Sequence, residues 1–259
     1  MHLTKIALVL EYDGTRFHGF QLQPNGRTVQ GELEQAVARF TGERVRVMCA
    51  SRTDAGVHAA GQVVSFRAAA AYPAATYVGA LNHFLPEDVS VLGAYEIAAG
   101  FSVQTAARQR EYEYLVLNRT TPSPLLRHRA HVVPQPLDTA GMEEAAAALV
   151  GEHDFASFAG PLAPKSADTC KRIDAFTVVR SGDVVALRVL GNAFLHQQVR
   201  RMAGCLVQSG LGKMRAKDVQ GLLERPRRGA AQPTLPARGL CLQAIRYEGF
   251  PPAAAQAAA

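Results

Sequence analysis

The 259-residue chain contains no tryptophan and only four cysteines. Cys49, Cys170, Cys205 and Cys241 are scattered, without a CxxC pair or a histidine at ligand spacing. Neither a disulfide scaffold nor a metal site is indicated. Isolated cysteines in apolar surroundings fit a reducing cytoplasm, which is the expected location. No apolar stretch approaches 18 residues without a charge, so neither a membrane span nor a membrane partner is expected. No leader is expected, because Met1-His2-Leu3 runs directly into a strand pattern. Neither a GxGxxG nor a phosphate-binding P-loop occurs, and no cofactor is expected. Residues 251–259 are low-complexity Pro/Ala and are expected to be disordered.

What is present points to a globular protein with a sizeable core, because 48% of its residues are hydrophobic. The length suits one large domain or two modest ones. Net charge is +6, and it is unevenly spread. Residues 1–100 carry 8 basic and 9 acidic groups, whereas residues 101–259 carry 20 and 13. The positive excess in the second part is what a grip on a polyanion requires.

Periodicity gives the architecture. Lys5–Glu11 reads as a buried strand. Thr28 is the N-cap of a helix carrying Val29, Leu33, Val37 and Phe40, which ends near Gly42. Strands at 45–49 and 62–66 follow, then a helix over 74–84 and a strand over 89–97. This is a βαββαβ order. The second part repeats it: a strand at 110–118, a helix at 137–150, and a hairpin of 172–180 with 183–190 across Ser181-Gly182. A helix at 195–211, a further one at 217–225, and a strand at 242–247 complete it. The predicted class is α+β, with two ferredoxin-like halves at 1–105 and 106–250.

The chemistry concentrates in the loop Ala50-Ser51-Arg52-Thr53-Asp54-Ala55-Gly56-Val57-His58-Ala59, between two short apolar strands. Asp54 is the only acid between Glu43 and Glu87. On the residues alone two readings stand. One is an ordinary Asx-turn with Arg52 solvated. The other is a carboxylate kept ionised by a guanidinium, suited to act as nucleophile or base. A glycosidase would need a second acid, and none is near.

Several segments together resemble the tRNA pseudouridine synthase A family. They are Arg52–Ala59, the opening loop Phe17–Gln23, Arg108–Tyr114, Gly151–Phe158, Thr169–Ile173, Gly191–Gly204 and Leu235–Leu242, in the family's order. The resemblance implies a pseudouridine synthase fold with a central, mostly antiparallel sheet and a basic active-site cleft. It implies a catalytic Asp54, with Arg52 contacting phosphate and filling the space of a flipped base. Tyr112 would stack on the target uracil, Arg200 would pair with Asp54, and Leu240 would line the pocket. The substrate would be the tRNA anticodon stem-loop at positions 38, 39 and 40, held by a homodimer. Two positions depart from the pattern: Leu22 and Lys171 stand where relatives carry arginine, and lysine lacks the bidentate geometry. Four bland readings accompany these. Tyr114 is a core aromatic, Arg201 a solvated surface group, 151–158 a structural loop anchored by Phe155 and Phe158, and 225–228 a solvated basic loop. A non-catalytic RNA-binding protein on the same scaffold is the rival class; it would show the aromatic run of an RNA-recognition sheet, which this sequence lacks.

Overall fold

A computed structural model describes residues 3–69, 72–163, 166 and 168–250. The expected disordered tail, 251–259, lies outside these. In chain order the elements are β1 (Thr4–Tyr12), α1 (Val29–Thr41), β2 (Met48–Cys49), β3 (His58–Ala68), α2 (Ala74–Phe84), β4 (Val89–Ile97) and β5 (Ala107–Leu117). There follow β6 (His131–Val132), α3 (Thr139–Ala147), β7 (Gly151–Asp154), β8 (Cys170–Ser181), β9 (Val184–Gly191), α4 (Gln198–Gly210), α5 (Ala216–Glu224) and β10 (Leu240–Tyr247). The chain forms two compact units. One runs up to Arg110 and resumes at Leu242; the other is Glu111–Cys241. The class is mixed α and β with mostly antiparallel pairing, and no helix among the described residues is long and apolar enough to cross a membrane.

In the first unit the strands lie in the order β4-β1-β3, with β2 and β10 both paired to β3. This is the ferredoxin-like arrangement, but β2 is cut to two residues where a strand over 45–49 was expected. The cause is local competition. The Val47 N–H donates to Glu34 Oε1 at 3.0 Å, and the Val47 carbonyl accepts from Gln30 Nε2 at 3.2 Å. Both partners are α1 side chains, so Val47 makes its hydrogen bonds to the helix instead of the ladder. α1 itself starts and stops as its sequence predicts. Thr28 Oγ1 accepts from the Gly31 N–H, and Gly42 closes the helix in the left-handed region. Ile6, Leu8 and Phe66 are buried with Leu33, Val37, Tyr77 and Leu81 from the two helices. Phe66 meets Tyr77 edge-on at 5.8 Å between ring centroids.

In the second unit the strands lie in the order β5-β9-β8, extended by β7, with β6 added in parallel to β5, whereas β10, expected to complete that half, falls in the first unit from Leu242 onward. The segment 151–158, expected as a loop, is therefore a sheet strand followed by a short 3-10 turn, with Phe155 and Phe158 fully buried beneath it. α4 begins at Gln198 and not at residue 195. Gln197 takes a left-handed conformation (φ 61°), and Gln198 Oε1 accepts the Leu195 N–H at 2.8 Å. His196 thus precedes the helix and shares no helical face with Arg200. Arg201 is not a solvated group: it is 6% exposed, and its Nη1 donates to the carbonyls of Gly229 and Ala231 at 3.0 and 2.8 Å. Nearly the whole circumference of α4 is buried, leaving no solvent face for an arginine there.

A charged cluster fastens the long connection between β1 and α1. Arg27 grips Asp88 in bidentate fashion at 2.7 and 2.8 Å, Arg16 Nε adds a contact at 3.0 Å, and the Asp13 N–H donates to the Asp88 carbonyl. Burial opposes ionisation of Asp88, but the Arg27 hydrogen bonds and the charges of Arg27 and Arg16 outweigh it and hold its pKa below the usual carboxylate range. A depressed folded-state pKa contributes stability above the unfolded value, near 3.9, that disappears as pH falls through the folded one. Asp88→Asn is accordingly expected to lower Tm most near neutral pH. The gap to the parent protein should close in melts below about pH 4, and a gap independent of pH would refute the charge account.

Candidate active site

The Asp54 loop is held from beneath by buried polar side chains. The hydroxyls of Tyr12 and Thr53 are 2.8 Å apart, and Gln62 Nε2 lies 3.3 Å from the Tyr12 oxygen and 2.7 Å from the Ser51 carbonyl. Gln62 is completely buried, with Tyr12 and Thr53 nearly so. The Tyr12 hydroxyl accepts from the Gln62 amide, and in its contact with Thr53 either oxygen can be the donor. Arg110, also buried, donates to the Ala50 carbonyl at 3.4 Å and to the Gln104 carbonyl at 3.1 Å. Residues 50, 51 and 53 are therefore tied inward. Arg52 is exposed and Asp54 half-exposed. The turn itself closes through backbone, the Val57 N–H donating to the Asp54 carbonyl at 3.1 Å.

The opening loop packs directly onto this one. Phe20 N–H donates to the Thr53 carbonyl, Gly56 N–H to the Phe17 carbonyl, and Gly14 N–H to Nδ1 of the buried His58. A Cβ on Gly14 would fall 2.0 Å from the Val57 carbonyl oxygen, so no other residue fits there. Phe17 and Phe20 are core residues of this contact, whereas Leu22 is 42% exposed.

Cys49 is the rival nucleophile by proximity in sequence. Burial pushes its thiol up to about 11, and the nearby charge of Arg52 lowers it only in part. It is a thiol at neutral pH, and thiols do not attack.

Tyr112, Arg200 and Leu240 belong to the second unit. Tyr112 meets Phe194 edge-on, with centroids 5.2 Å apart. Arg200 Nε donates to the Leu235 carbonyl at 2.7 Å, while the Leu235 N–H returns to the Arg200 carbonyl at 3.2 Å. One turn on, a Cβ at Gly204 would sit 1.9 Å from the Pro233 carbonyl oxygen. The i, i+4 pair thus seats the 233–235 segment against α4. Tyr114 continues the clamp. It is fully buried, donates to the Pro236 carbonyl at 2.8 Å, and has its hydroxyl pKa raised by burial. Leu240 is buried where this segment enters β10. Lys171 is engaged with Asp168 at 2.8 Å. Arg225, Arg227 and Arg228 are exposed.

Comparison with known proteins decides the family. Residues 8–104 and 145–248 match the family described as tRNA pseudouridine synthase. The chain is 44% identical to the tRNA pseudouridine synthase A of Pelobacter propionicus over 243 residues, covering 93% of this chain and 99% of the relative. It is 43% identical to the enzyme of that name from Myxococcus xanthus over 258 residues, covering 97% and 95%. The chain belongs to the tRNA pseudouridine synthase family. It is an isomerase that converts uridine in tRNA to pseudouridine.

The isomerisation needs no net oxidation: the C1′–N1 bond breaks, the uracil turns, and C5 joins C1′. Two supports of this synthase's loop escaped the sequence reading. Gln62 was legible as an amide inside an apolar strand. Arg110 was legible by parity, because residues 110, 112, 114 and 116 share the buried face of β5. Replacing Gln62 by Leu removes the donor to the Ser51 carbonyl and the Tyr12 oxygen and the acceptor of the Val63 N–H. Stranding such groups costs about 1–3 kcal/mol. Thermal unfolding of Gln62→Leu should show a Tm several degrees lower, with Tyr12→Phe less affected; parent-like Tm in both would mean that the network is not what secures the loop.

Proposed function

We propose that this synthase acts on the tRNA anticodon stem-loop at positions 38, 39 and 40, with Asp54 as its nucleophile and with the target base flipped from its stack. The carrying observation is that one half-exposed carboxylate, alone among residues 44–86, sits on a loop whose backbone is fixed by buried polar groups. A rigidly presented carboxylate suits a reaction in which C1′ becomes electron-poor. Asp54 stabilises or attacks C1′ as the C1′–N1 bond breaks, the freed uracil rotates, and C5 bonds to C1′. The proton lost from C5 is balanced by the proton gained at N1, so the product is an isomer. Tyr112 lies against the flipped uracil, since any base offers a face to an aromatic ring. Arg52, exposed beside Asp54, contacts phosphate and fills the vacated stack, offsetting an extrusion cost of roughly a few kcal/mol. Arg200 pairs with Asp54, and Leu240 shields the reacting base from water. Water must be excluded because the uracil has to re-add. In this reading the enzyme works as a cytoplasmic homodimer.

A non-catalytic RNA-binding role would leave the carboxylate without a task, and substitution separates the two. Asp54→Ala should abolish pseudouridine formation, mapped by carbodiimide-dependent primer extension on unmodified tRNA, while tRNA affinity stays within about tenfold because phosphate contacts dominate binding. Normal pseudouridine from that variant would end the nucleophile assignment. Arg200→Ala should lower turnover and also Tm, since the Leu235 carbonyl loses its charged donor, at a cost of about 1–3 kcal/mol. Parent-like values for both would remove Arg200 from the site.

A further inference from the structure

An anion-attracting feature lies on the first unit, in a cavity whose lining includes no residue of the Asp54 loop among the described residues. Lys5, Arg44, Arg46 and Arg67 line one cavity of about 340 Å³, with Met48 and Ser65 also in its wall. That volume falls within the range of roughly 300–1,000 Å³ typical of ligand clefts. Among the described residues, no carboxylate lines the cavity. Four of the eight basic residues among 1–100 therefore surround one hollow in a part of the chain whose net charge is slightly negative.

The arrangement opposes itself electrostatically. Lys5 and Arg67 are register partners on β1 and β3, and like charges directly opposite one another destabilise a strand pair. Their protein partners are neutral. Lys5 Nζ donates to the Phe101 carbonyl at 2.6 Å, and Arg67 Nη2 to the Ala99 carbonyl at 3.3 Å. Arg44 and Arg46 are both exposed on the segment before β2. Arg46 reaches Glu34 only at 3.7 Å, and that carboxylate oxygen is already shared with the Val47 N–H and Gln30. The contrast within the same unit is direct, for Arg16 and Arg27 close on Asp88, Glu87 and Glu32 at 2.6–3.0 Å. Four cations with one distant, shared carboxylate between them, beside hydroxyl donors and an exposed methionine, are suited to an anion that arrives from outside.

We infer that this cavity is a binding site for backbone phosphate of the RNA substrate, separate from the reacting nucleoside. The inference rests on the function proposed above. Met48 precedes Asp54 by six residues, and six residues of extended chain span at most roughly 20 Å. One structured RNA is long enough to occupy both places. The cavity fixes where the RNA lies, and Asp54 acts on the base so presented. Arg44 and Arg67 are positioning residues in this scheme, touching the substrate's phosphates and not the reacting atoms.

The test is the Arg44→Gln/Arg67→Gln double variant. Filter binding to unmodified tRNA across a salt series should show Kd raised about tenfold near physiological salt. The log K against log salt slope should be shallower by roughly one per lost phosphate contact. The rate at saturating tRNA should match the parent, and ethylation interference should vanish at a small adjacent group of phosphates. Unchanged Kd and slope would overturn the site, and so would interference lost evenly along the RNA, which marks a general field effect. Calorimetric binding of inorganic phosphate to the parent, with the variant's tRNA affinity intact, would overturn RNA as the ligand. A parent protein that binds tRNA yet forms no pseudouridine would instead overturn the proposed chemistry, so the two failures are distinguishable.

Discussion

The fully buried Gln62 amide under the Asp54 loop is the constraint on which the rest of the first unit depends. It accepts from its own strand and donates to the Ser51 carbonyl and the Tyr12 hydroxyl. Through those contacts the ends of β1 and β3 and the loop between β2 and β3 become one rigid body. Buried polar groups are costly unless all their hydrogen bonds are made, which is why such a network specifies one geometry. An aliphatic residue at 62 would fill the strand equally well but would leave the loop free to choose among conformations. The opening loop adds a second wall, with Phe17 and Phe20 buried and their backbones bonded to residues 53 and 56. Asp54 therefore stands on a platform formed before any substrate arrives.

In the second unit α4 plays the corresponding part. It is buried on nearly every side, and it seats the 233–236 segment through Arg200, Gly204 and, from β5, Tyr114. Arg201 carries the same role to residues 229 and 231. Two adjacent arginines thus face different segments of their own unit. In both units loop geometry is set by side-chain donors reaching backbone carbonyls, which lets irregular chain lie against the core with those carbonyls hydrogen-bonded.

Much of this was legible in sequence. Helix α1, with its threonine cap and glycine stop, and the hairpin at Ser181-Gly182 follow from local chemistry alone. The alternation of Tyr112, Tyr114 and Val116 in β5 does too. The misreadings share a cause, which is competition from groups distant in sequence. The strand expected at 45–49 lost Val47 to side chains of α1. The helix expected from 195 was delayed by the Gln198 side chain, and Arg201 was buried by a helix enclosed on all sides. The motif around Asp54 pointed to the family, yet the supports of its loop at Gln62 and Arg110 lie outside that motif. The cavity basicity was hidden for a different reason: counting charges along the chain averages away four cations that only the fold brings together.

The shortened β2 has a consequence of its own. Because Val47 is tethered to Glu34 and Gln30, the stretch bearing Arg44 and Arg46 is strapped to a helix and is not woven into the sheet. Its side chains can be exchanged without repacking any strand, so the phosphate site inferred above is one that mutation can retune while the scaffold beneath Asp54 stays untouched. Grip and reactivity are thereby free to evolve on separate schedules within a single small domain.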